Sequence, residues 1–332
     1  MTAAVVGSTL WSTDVDDAVV ALADAPDGRV AVAGAEGSLT LLSADGVVYR
    51  RQQLSRGCLA VSWSPAGDRM AVGSVDGVAI VDDDGTVVSR RRGGWCAALA
   101  WSFDGARLAA GIGRSTVVLK ADGAELVRRE RGSTVTAVDW INRRVASAAY
   151  GGVHVHHVAQ GASEDILPFT GSLLAMAISP DRRWAASGNQ DATLHVWRVG
   201  KQGEELQMSG YPTKITALAF SPDSTLLASG GGTDVTVWDF SGAGPRGSTP
   251  RILAAHDEVV TSVAWSRSGR FLAAVSDDGR VAVWEPAAAV PGRAHAAVDE
   301  LRRDSPAASV RWDHRGRILA GWSDGTVIAH AM

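Results

Sequence analysis

Histidines and cysteines are the residues of this 332-residue sequence whose types could support chemistry. His154, His156 and His157 lie close together, and His195 follows at the corresponding place in the next stretch of similar sequence. Alternate side chains of a strand point to opposite faces, so His154 and His156 share a face that His157 does not. A three-histidine metal site is therefore not expected, and we interpret these histidines as space-filling or solvent-facing.

The two cysteines occupy equivalent positions. Cys58 precedes Trp63 by five residues and Cys96 precedes Trp101 by five residues. Two thiolates could share a soft metal, but they form an incomplete ligand set. We interpret both as small buried hydrophobic residues, and we predict neither a metal site nor a cofactor.

The metalloprotease and nucleotide-binding motifs are missing from the sequence. It contains no HExxH and no phosphate-binding loop ending in Gly-Lys-Ser/Thr. Its aspartates recur at turns, where a carboxylate accepts hydrogen bonds from nearby backbone N–H groups. We predict a protein that is not an enzyme, without catalytic residues.

The arginines are grouped at regular intervals. The groups are Arg50, Arg51 and Arg56; Arg90, Arg91 and Arg92; and Arg128, Arg129 and Arg131. Adjacent repeats would place them in one basic arc beside Trp95, able to bind an acidic protein segment or RNA. The alternative is that charged outer strands prevent edge-to-edge association.

Composition indicates a soluble globular protein. Apolar residues make up 46% and charged residues 20% of the chain, and the net charge is −4. Only three of the 32 basic residues are lysine, a bias typical of a GC-rich bacterium. No signal peptide or membrane span is evident and cysteine is rare, so we predict a cytoplasmic protein that does not bind membranes.

One pattern repeats along the chain. The residue that ends the first strand of each repeat recurs at intervals of 38 to 47 residues, at Asp24, Trp63, Trp101, Trp140, Ile178, Phe220, Trp265 and Trp312. It is followed by a turn such as Ser221-Pro222-Asp223 and then by a strand of small residues, which include Leu226, Ala228 and Ser229. An all-β repeat near 40 residues predicts a propeller or a β-solenoid.

These features resemble the WD-repeat (WD40) β-propeller family over nearly the whole chain. The matching residues are the Ser-Pro-Asp turns, the Leu-Ala-Ser-Gly strand and the third-strand tryptophans Trp197, Trp238 and Trp284. Among these third-strand tryptophans, only Trp238 is followed by aspartate to spell the Trp-Asp pair. The family's Asp-His-Ser/Thr-Trp network is complete nowhere, since Ala274 replaces the hydroxyl residue beside His256, Asp278 and Trp284. We therefore expect apolar packing to hold the sheets together.

The resemblance implies one closed all-β propeller domain over residues 1–332, with four-stranded blades. We predict eight blades, beginning near residues 19, 58, 96, 134, 172, 214, 258 and 308. The last repeat has only three strands, so residues 3–12 are expected to complete it and close the ring. Seven blades are the alternative. Residues 286–308, with Ala294, Val298 and Leu301 at helical spacing, are expected to hold a short helix.

We predict a non-enzymatic protein-interaction scaffold, monomeric on its own, with other proteins as partners and nucleic acid not expected. The family's usual binding face implies these contact residues: Arg56, Trp95, Arg131, Phe169, Tyr211, His256, Asp257 and Glu258, joined by Arg90, Arg91 and Arg92 of the arc. The alternatives are a metal-handling or enzymatic propeller using Cys58 and Cys96 at the channel mouth, and binding of RNA or an acidic partner by the arc.

Overall fold

The strands of this chain form eight separate sheets in the computed structural model, which describes residues 7–159, 161–201 and 203–332. The all-β class and the eight blades are thereby confirmed. Contacts divide the chain into an N-terminal unit, Thr13–Leu174, and a C-terminal unit, Met1–Ser12 with Ala175–Met332. The prediction of a single domain stays a prediction. We number the sheets as blades 1 to 8 in chain order.

Blades 1 and 2 begin the N-terminal unit. Blade 1 contains β2 (Val19–Asp24), β3 (Val30–Gly34), β4 (Ser38–Leu42) and β5 (Val48–Gln53). Blade 2 contains β6 (Cys58–Trp63), β7 (Arg69–Ser74), β8 (Gly77–Asp82) and β9 (Val87–Arg92). Consecutive strands pair antiparallel in both sheets.

Blades 3 and 4 complete that unit with the same antiparallel order. Blade 3 contains β10 (Ala98–Trp101), β11 (Arg107–Ile112), β12 (Ser115–Lys120) and β13 (Glu125–Glu130). Blade 4 contains β14 (Ala137–Ile141), β15 (Arg144–Ala149), β16 (Gly152–His157) and β17 (Glu164–Pro168).

The C-terminal unit contains four further sheets. Blade 5 contains β18 (Leu173–Ile178), β19 (Trp184–Asn189), β20 (Leu194–Arg198) and β21 (Glu205–Met208). Blade 6 contains β22 (Ala217–Phe220), β23 (Leu226–Gly230), β24 (Asp234–Asp239) and β25 (Arg251–Ala254). Blade 7 contains β26 (Val260–Trp265), β27 (Leu272–Ser276), β28 (Arg280–Trp284) and β30 (Asp299–Arg302).

Blade 8 takes its fourth strand from the start of the chain. It contains β31 (Ala307–Trp312), β32 (Ile318–Trp322) and β33 (Thr326–Ala331), and β1 (Ser8–Asp14) lies beside β33. The predicted pairing of the N-terminal strand with the last blade is confirmed. Residues 3–6 of the predicted strand lie outside the described residues.

Residues 286–308 hold a short 3-10 helix at Pro286–Ala288, but the expectation that Ala294, Val298 and Leu301 form a helix is wrong. Those residues lie in or beside β29 (Ala294–His295) and β30. β29 pairs parallel to β25 as a fifth strand of blade 6, and β30 is the outer strand of blade 7. Pairing with neighbouring strands satisfies the backbone here and overrides the helical spacing of the apolar residues.

The second strand of each blade is buried because its side chains are small. β3 (Val-Ala-Val-Ala-Gly) and β27 (Leu-Ala-Ala-Val-Ser) are buried at every position. The outer strand β9 instead alternates between half-buried and exposed residues. Each sheet therefore buries its faces against neighbouring sheets and leaves its outer edge in solvent.

The first turn of a blade is closed by its serine and aspartate. In blade 3, Ser102 Oγ donates to Asp104 Oδ1 (2.6 Å) and accepts a hydrogen bond from Arg107 N (3.0 Å). Gly105 adopts a φ of 68°, which glycine takes without strain. The interpretation of these aspartates as turn residues is confirmed.

The tryptophan that ends an inner strand bonds to the preceding blade. Trp101 Nε1 donates to Ser62 O (3.1 Å) and Trp140 Nε1 donates to Ala100 O (2.9 Å). Trp265 and Trp312 make the same bond to Ala219 O and Ala264 O at 3.0 and 3.1 Å. The acceptor is always the residue just before the corresponding inner-strand end, so each bond fixes the register of two sheets.

We expect Trp140→Phe to lower the free energy of unfolding by about 1–2 kcal/mol, because Ala100 O would lose its buried donor. Trp63→Phe is the matched control. Trp63 is equally buried, at 7% against 4% exposed, but its Nε1 has no hydrogen-bond partner among the described residues. Urea unfolding measures both, and equal losses would contradict this role for the indole N–H.

Candidate functional site

Three of the predicted contact residues are turned into the protein. Arg131, Tyr211 and His256 each stand nine residues before the end of an inner strand. Arg131 and His256 are only 7% exposed, and Tyr211 is half-buried with its hydroxyl in a hydrogen-bond chain. Burial removes Arg131 and His256 from the set of surface contact residues, and it leaves Tyr211 a structural role.

Tyr211 joins the strands of blade 6. Trp238 Nε1 donates to the Tyr211 hydroxyl (2.8 Å), which lies 2.7 Å from Ser229 Oγ. Ser229 Oγ donates in turn to Thr236 O (3.1 Å). Blade 6 therefore has a satisfied network in which tyrosine stands where the family pattern has histidine, a variant that the sequence analysis missed.

Blade 7 keeps the family residues but not the hydroxyl. His256 Nδ1 lies 3.3 Å from Asp278 Oδ1, and the ring meets Trp284 edge-on at a centroid distance of 5.9 Å. His256 Nε2 and Trp284 Nε1 are both buried without a hydrogen-bond partner in the described part of the chain. Ala274 lacks the hydroxyl group of the family pattern, as the sequence indicated, and these two polar atoms are therefore unpaired.

Arg131 organises a polar cluster between blades 3 and 4. Its Nε donates to Thr116 Oγ1 (3.1 Å), and its Nη1 forms an ion pair with Glu164 Oε1 (2.7 Å). Its Nη2 lies 3.4 Å from His156 Nδ1, and His154 Nδ1 lies 3.1 Å from Glu164 Oε2. Two of the three clustered histidines thus lie beside an ion pair between the buried Arg131 and Glu164 at the surface.

The cluster shifts the pKa of His156 and Glu164. Burial and then the positive charge of Arg131 lower the pKa of His156 to about 4, so its imidazole is neutral near pH 7. Burial opposes ionisation of Glu164, but the charge of Arg131 and the hydrogen bonds from His154 and Arg131 lower the pKa of Glu164. The cluster therefore holds one carboxylate, one guanidinium and a neutral His156.

The other predicted contact residues lie at the surface. Arg56 is exposed and donates to Asp76 Oδ1 (2.5 Å), and Trp95 is 63% exposed. Phe169 is half-buried. Asp257 and Glu258 are exposed in the C-terminal unit, and Arg280 Nη2 donates to Asp257 (2.7 Å).

The arginines do not form a continuous basic arc. Arg91 donates to Gly123 O (2.8 Å) and Arg129 donates to Ala162 O (3.0 Å), each reaching the outer turn or loop of the next blade. Arg128 pairs with Glu125, and Arg51 pairs with Asp16. The guanidinium groups of Arg90, Arg91, Arg129 and Arg131 each reach a neighbouring blade, and Arg56, Arg90 and Arg92 all lie at blade 2.

The two cysteines lie in different cores. Cys58 packs between blades 1 and 2, and Cys96 packs between blades 2 and 3. Burial raises the pKa of both thiols, that of Cys96 to about 12. Within residues 7–159, 161–201 and 203–332, no group of three or more His, Cys, Asp or Glu side chains is placed to hold a metal ion.

Two exposed aromatic residues in turns between strands were missed by the sequence analysis. Tyr150 is 58% exposed in the β15–β16 turn, and Phe103 is 94% exposed in the β10–β11 turn. Trp95 lies in the loop before the inner strand β10. The turn that carries Tyr150 lies at the end of blade 4 where its inner strand β14 begins. Phe103 instead follows the last residues of β10. An aromatic residue inside a short polar turn is the signal that would have identified them.

Comparison with known proteins identifies the repeats. The family model described as WD domain, G-beta repeat matches residues 165–198, 203–239 and 247–285. These three segments are WD40 repeats. The resemblance to WD-repeat proteins is confirmed, and a bacterial source stays a prediction.

The sequence relatives share only part of their length with this chain. Human coronin-7 is 34% identical over 113 residues, which are 31% of this chain and 12% of coronin-7. RACK1 of Schizosaccharomyces pombe, a small ribosomal subunit protein, is 28% identical over 129 residues, which are 35% of this chain and 38% of RACK1. The chain thus spans well under half of either relative.

Solved structures show the fold over nearly the whole chain. The computationally designed Ika8 protein has a TM-score of 0.80 and 21% identity, covering 98% of this chain and 100% of its own. The C-terminal WD40 domain of Sif2 has a TM-score of 0.80 and 14% identity, covering 98% of each chain. The WD40 repeats therefore adopt a β-propeller fold.

In the described part of the chain, no helix combines the length and the apolar character needed to cross a membrane.

His156 makes stability depend on pH. Because its pKa is about 4 in the folded protein and about 6.5 when unfolded, the unfolded chain binds the extra proton between those values. Stability should therefore fall as the pH drops from 6.5 to 4. This drop in the free energy of unfolding should be about 1–2 kcal/mol smaller in His156→Gln than in wild type. It should be unchanged in His157→Gln, because His157 is exposed. Urea unfolding at pH 7 and 4.5 measures this, and an unchanged slope in His156→Gln would contradict it.

Ala274→Ser should stabilise the protein by about 1 kcal/mol, because the new hydroxyl can accept from Trp284 Nε1 and donate to His256 Nε2. Ala273→Ser is the control: its side chain is equally buried but points to the opposite face, so it should destabilise. Thermal unfolding compares the two variants, and a lower melting temperature in Ala274→Ser would show that the hydroxyl finds no partner.

Proposed function

We propose that this WD40-repeat chain is a non-enzymatic protein-interaction scaffold that binds a partner through loops of its N-terminal unit. The contact region is the blade 2–4 loop surface, which we define as Arg56, Arg92, Trp95, Arg114 and Tyr150. Repeat proteins commonly use such extended surfaces for binding. A cytoplasmic location and a monomeric state stay predictions.

The observation that carries the proposal is the exposure of Trp95. Its side chain is 63% exposed, and the neighbouring Gly94 faces open space, so nothing in the unit covers the indole. The loop is nevertheless held in place, since Gly113 N donates to Trp95 O (2.7 Å). A large aromatic side chain on a fixed loop is typical of the anchors that contribute most to protein interfaces.

Tyr150 extends this surface onto blade 4. Its backbone N–H donates to Ser133 Oγ (2.7 Å), which ties the β15–β16 turn to the loop that enters the blade. Trp140 bonds to Ala100 near the end of β10, so β10 and β14 run in the same direction and begin at the same side. The loops that carry Trp95 and Tyr150 therefore open on one side of the unit.

The charged residues beside the aromatics suit recognition better than catalysis. Arg114 Nη2 donates to Gly132 O (2.7 Å), and Arg56 pairs with Asp76. Neither arrangement supplies a nucleophile with an adjacent base. In the cluster around Arg131, the Thr116 hydroxyl is fully buried and accepts a hydrogen bond from Arg131, and His156 is inaccessible.

Affinity capture from cells that express the chain tests the proposal. We expect a co-purifying protein whose recovery, measured by quantitative mass spectrometry, falls at least tenfold with Trp95→Ser combined with Tyr150→Ser. Phe103→Ser is the matched control, because Phe103 is even more exposed but lies at the opposite end of β10. Equal recovery with all three proteins would contradict the proposed surface.

A further inference from the structure

A cleft opens between the outer part of blade 1 and the face of blade 2. Its volume is about 200 Å³. Its lining includes Leu54 and Ser55 from blade 1 and, from blade 2, Ser74, Asp76, Gly77 and the three arginines Arg90, Arg91 and Arg92. The cleft lies wholly within the N-terminal unit, and Trp95 follows Arg92 by three residues in the chain.

Strand register explains why two arginines face this cleft. β8 and β9 pair Gly77 with Arg92 and Ala79 with Arg90. Arg90 Nη1 donates to Leu54 O (2.7 Å) on the blade 1 side, whereas Arg91 reaches Gly123 on the blade 3 side. Since side chains alternate, Arg92 shares the face of Arg90.

The pairing of a glycine with an arginine distinguishes blade 2 from the other blades of its unit. The equivalent pairs are Ser38 with Gln53, Ser115 with Glu130, and Gly152 with Pro168. In blade 3, Ser115 Oγ donates to Glu130 Oε1 (2.6 Å) across that position. Of the four blades in this unit, only blade 2 pairs a glycine with an arginine at this position, so its cleft is open and positively charged.

The cleft contains hydrogen-bond donors that are available to bind an anion. Asp76 is the one carboxylate that lines it, and Arg56 already pairs with Asp76. The hydrogen bond from Arg56, together with the positive charges of Arg56 and Arg92, lowers the pKa of Asp76, so Arg92 is close enough to interact electrostatically with this carboxylate without bonding to it. Among residues 7–159, 161–201 and 203–332, the Arg92 guanidinium meets no hydrogen-bond acceptor. An incoming carboxylate could therefore take up the donors of Arg92.

We propose that this cleft binds a glutamate or aspartate side chain of an acidic segment in a partner protein. The inference rests on the proposed function and specifies the partner's chemistry. The segment would place one carboxylate against Arg92 and run on over Trp95, which joins the cleft to the blade 2–4 loop surface.

Charge and shape favour an acidic peptide over nucleic acid. A backbone of regularly spaced phosphates needs a continuous basic track. Here Arg91 and Arg129 are bound to carbonyl groups, and Arg51 and Arg128 are paired with carboxylates. Asp82, Asp83 and Asp84 at the far end of β8 would repel a polyanion that extended along the blade.

Fluorescence anisotropy with a fluorescein-labelled decaglutamate peptide at low salt tests the proposal. We expect Arg92→Gln to weaken binding about tenfold, the effect of losing one charge-assisted hydrogen bond. Arg128→Gln is the matched control, since it removes the same charge from the exposed outer strand of blade 3, and it should change binding less than twofold. Circular dichroism melting curves verify that both variants fold.

A labelled decauridylate RNA is the competing probe. Absence of decaglutamate binding by the wild type, equal weakening in both variants, or tighter RNA binding with the same dependence on Arg92 would each overturn the proposal. Capture of a partner that depends on Trp95 but not on Arg92 would overturn the acidic-segment inference and leave the scaffold function standing.

Discussion

Burial of sheet faces is the constraint on which this structure depends. A four-stranded sheet of about 35 residues cannot bury its own faces, so each must be covered by a neighbouring sheet. Small residues of the second strands permit the close approach, and Trp101 and Trp140 fix the register through hydrogen bonds to the preceding blade. Each sheet is then shielded inside while its loops and outer strand remain free to vary.

The residues that enter the inner strands differ from blade to blade. The position nine residues before the end of an inner strand is arginine in blade 4, tyrosine in blade 6 and histidine in blade 7. Arg131 forms a charged cluster, Tyr211 completes a neutral network, and His256 leaves two polar atoms unpaired. Packing tolerates all three because apolar contacts between sheets supply most of the stability.

Sequence reasoning predicted the elements that repeat. The recurrence of the residue that ends each inner strand indicated eight sheets, and the missing last strand indicated the pairing of β1 with β33. Sequence reasoning wrongly placed Arg131 and His256 at the surface. A residue in an entry loop can turn inward, and only the residues of the neighbouring strand show whether it finds a partner inside the protein.

The arginine arc illustrates a second limit of the sequence. Regular spacing located Arg91 and Arg129 correctly on outer strands, but the acceptors are backbone carbonyls of turns or loops about 30 residues further along the chain. A carbonyl's position is independent of residue type, so composition carries no sign of these bonds. Only the register of Gly77 with Arg92 separates a structural arginine from one that faces an open cleft.

The central claim is that the partner occupies the N-terminal unit at the cleft and the adjoining loops. Hydrogen exchange followed by mass spectrometry, with and without the bound partner, tests it most directly. The account predicts slower exchange in peptides that cover residues 54–57, 74–79 and 90–96, with little change in residues 241–250 of the C-terminal unit. Slower exchange confined to residues 241–250, or to the turn that carries Phe103, would contradict it.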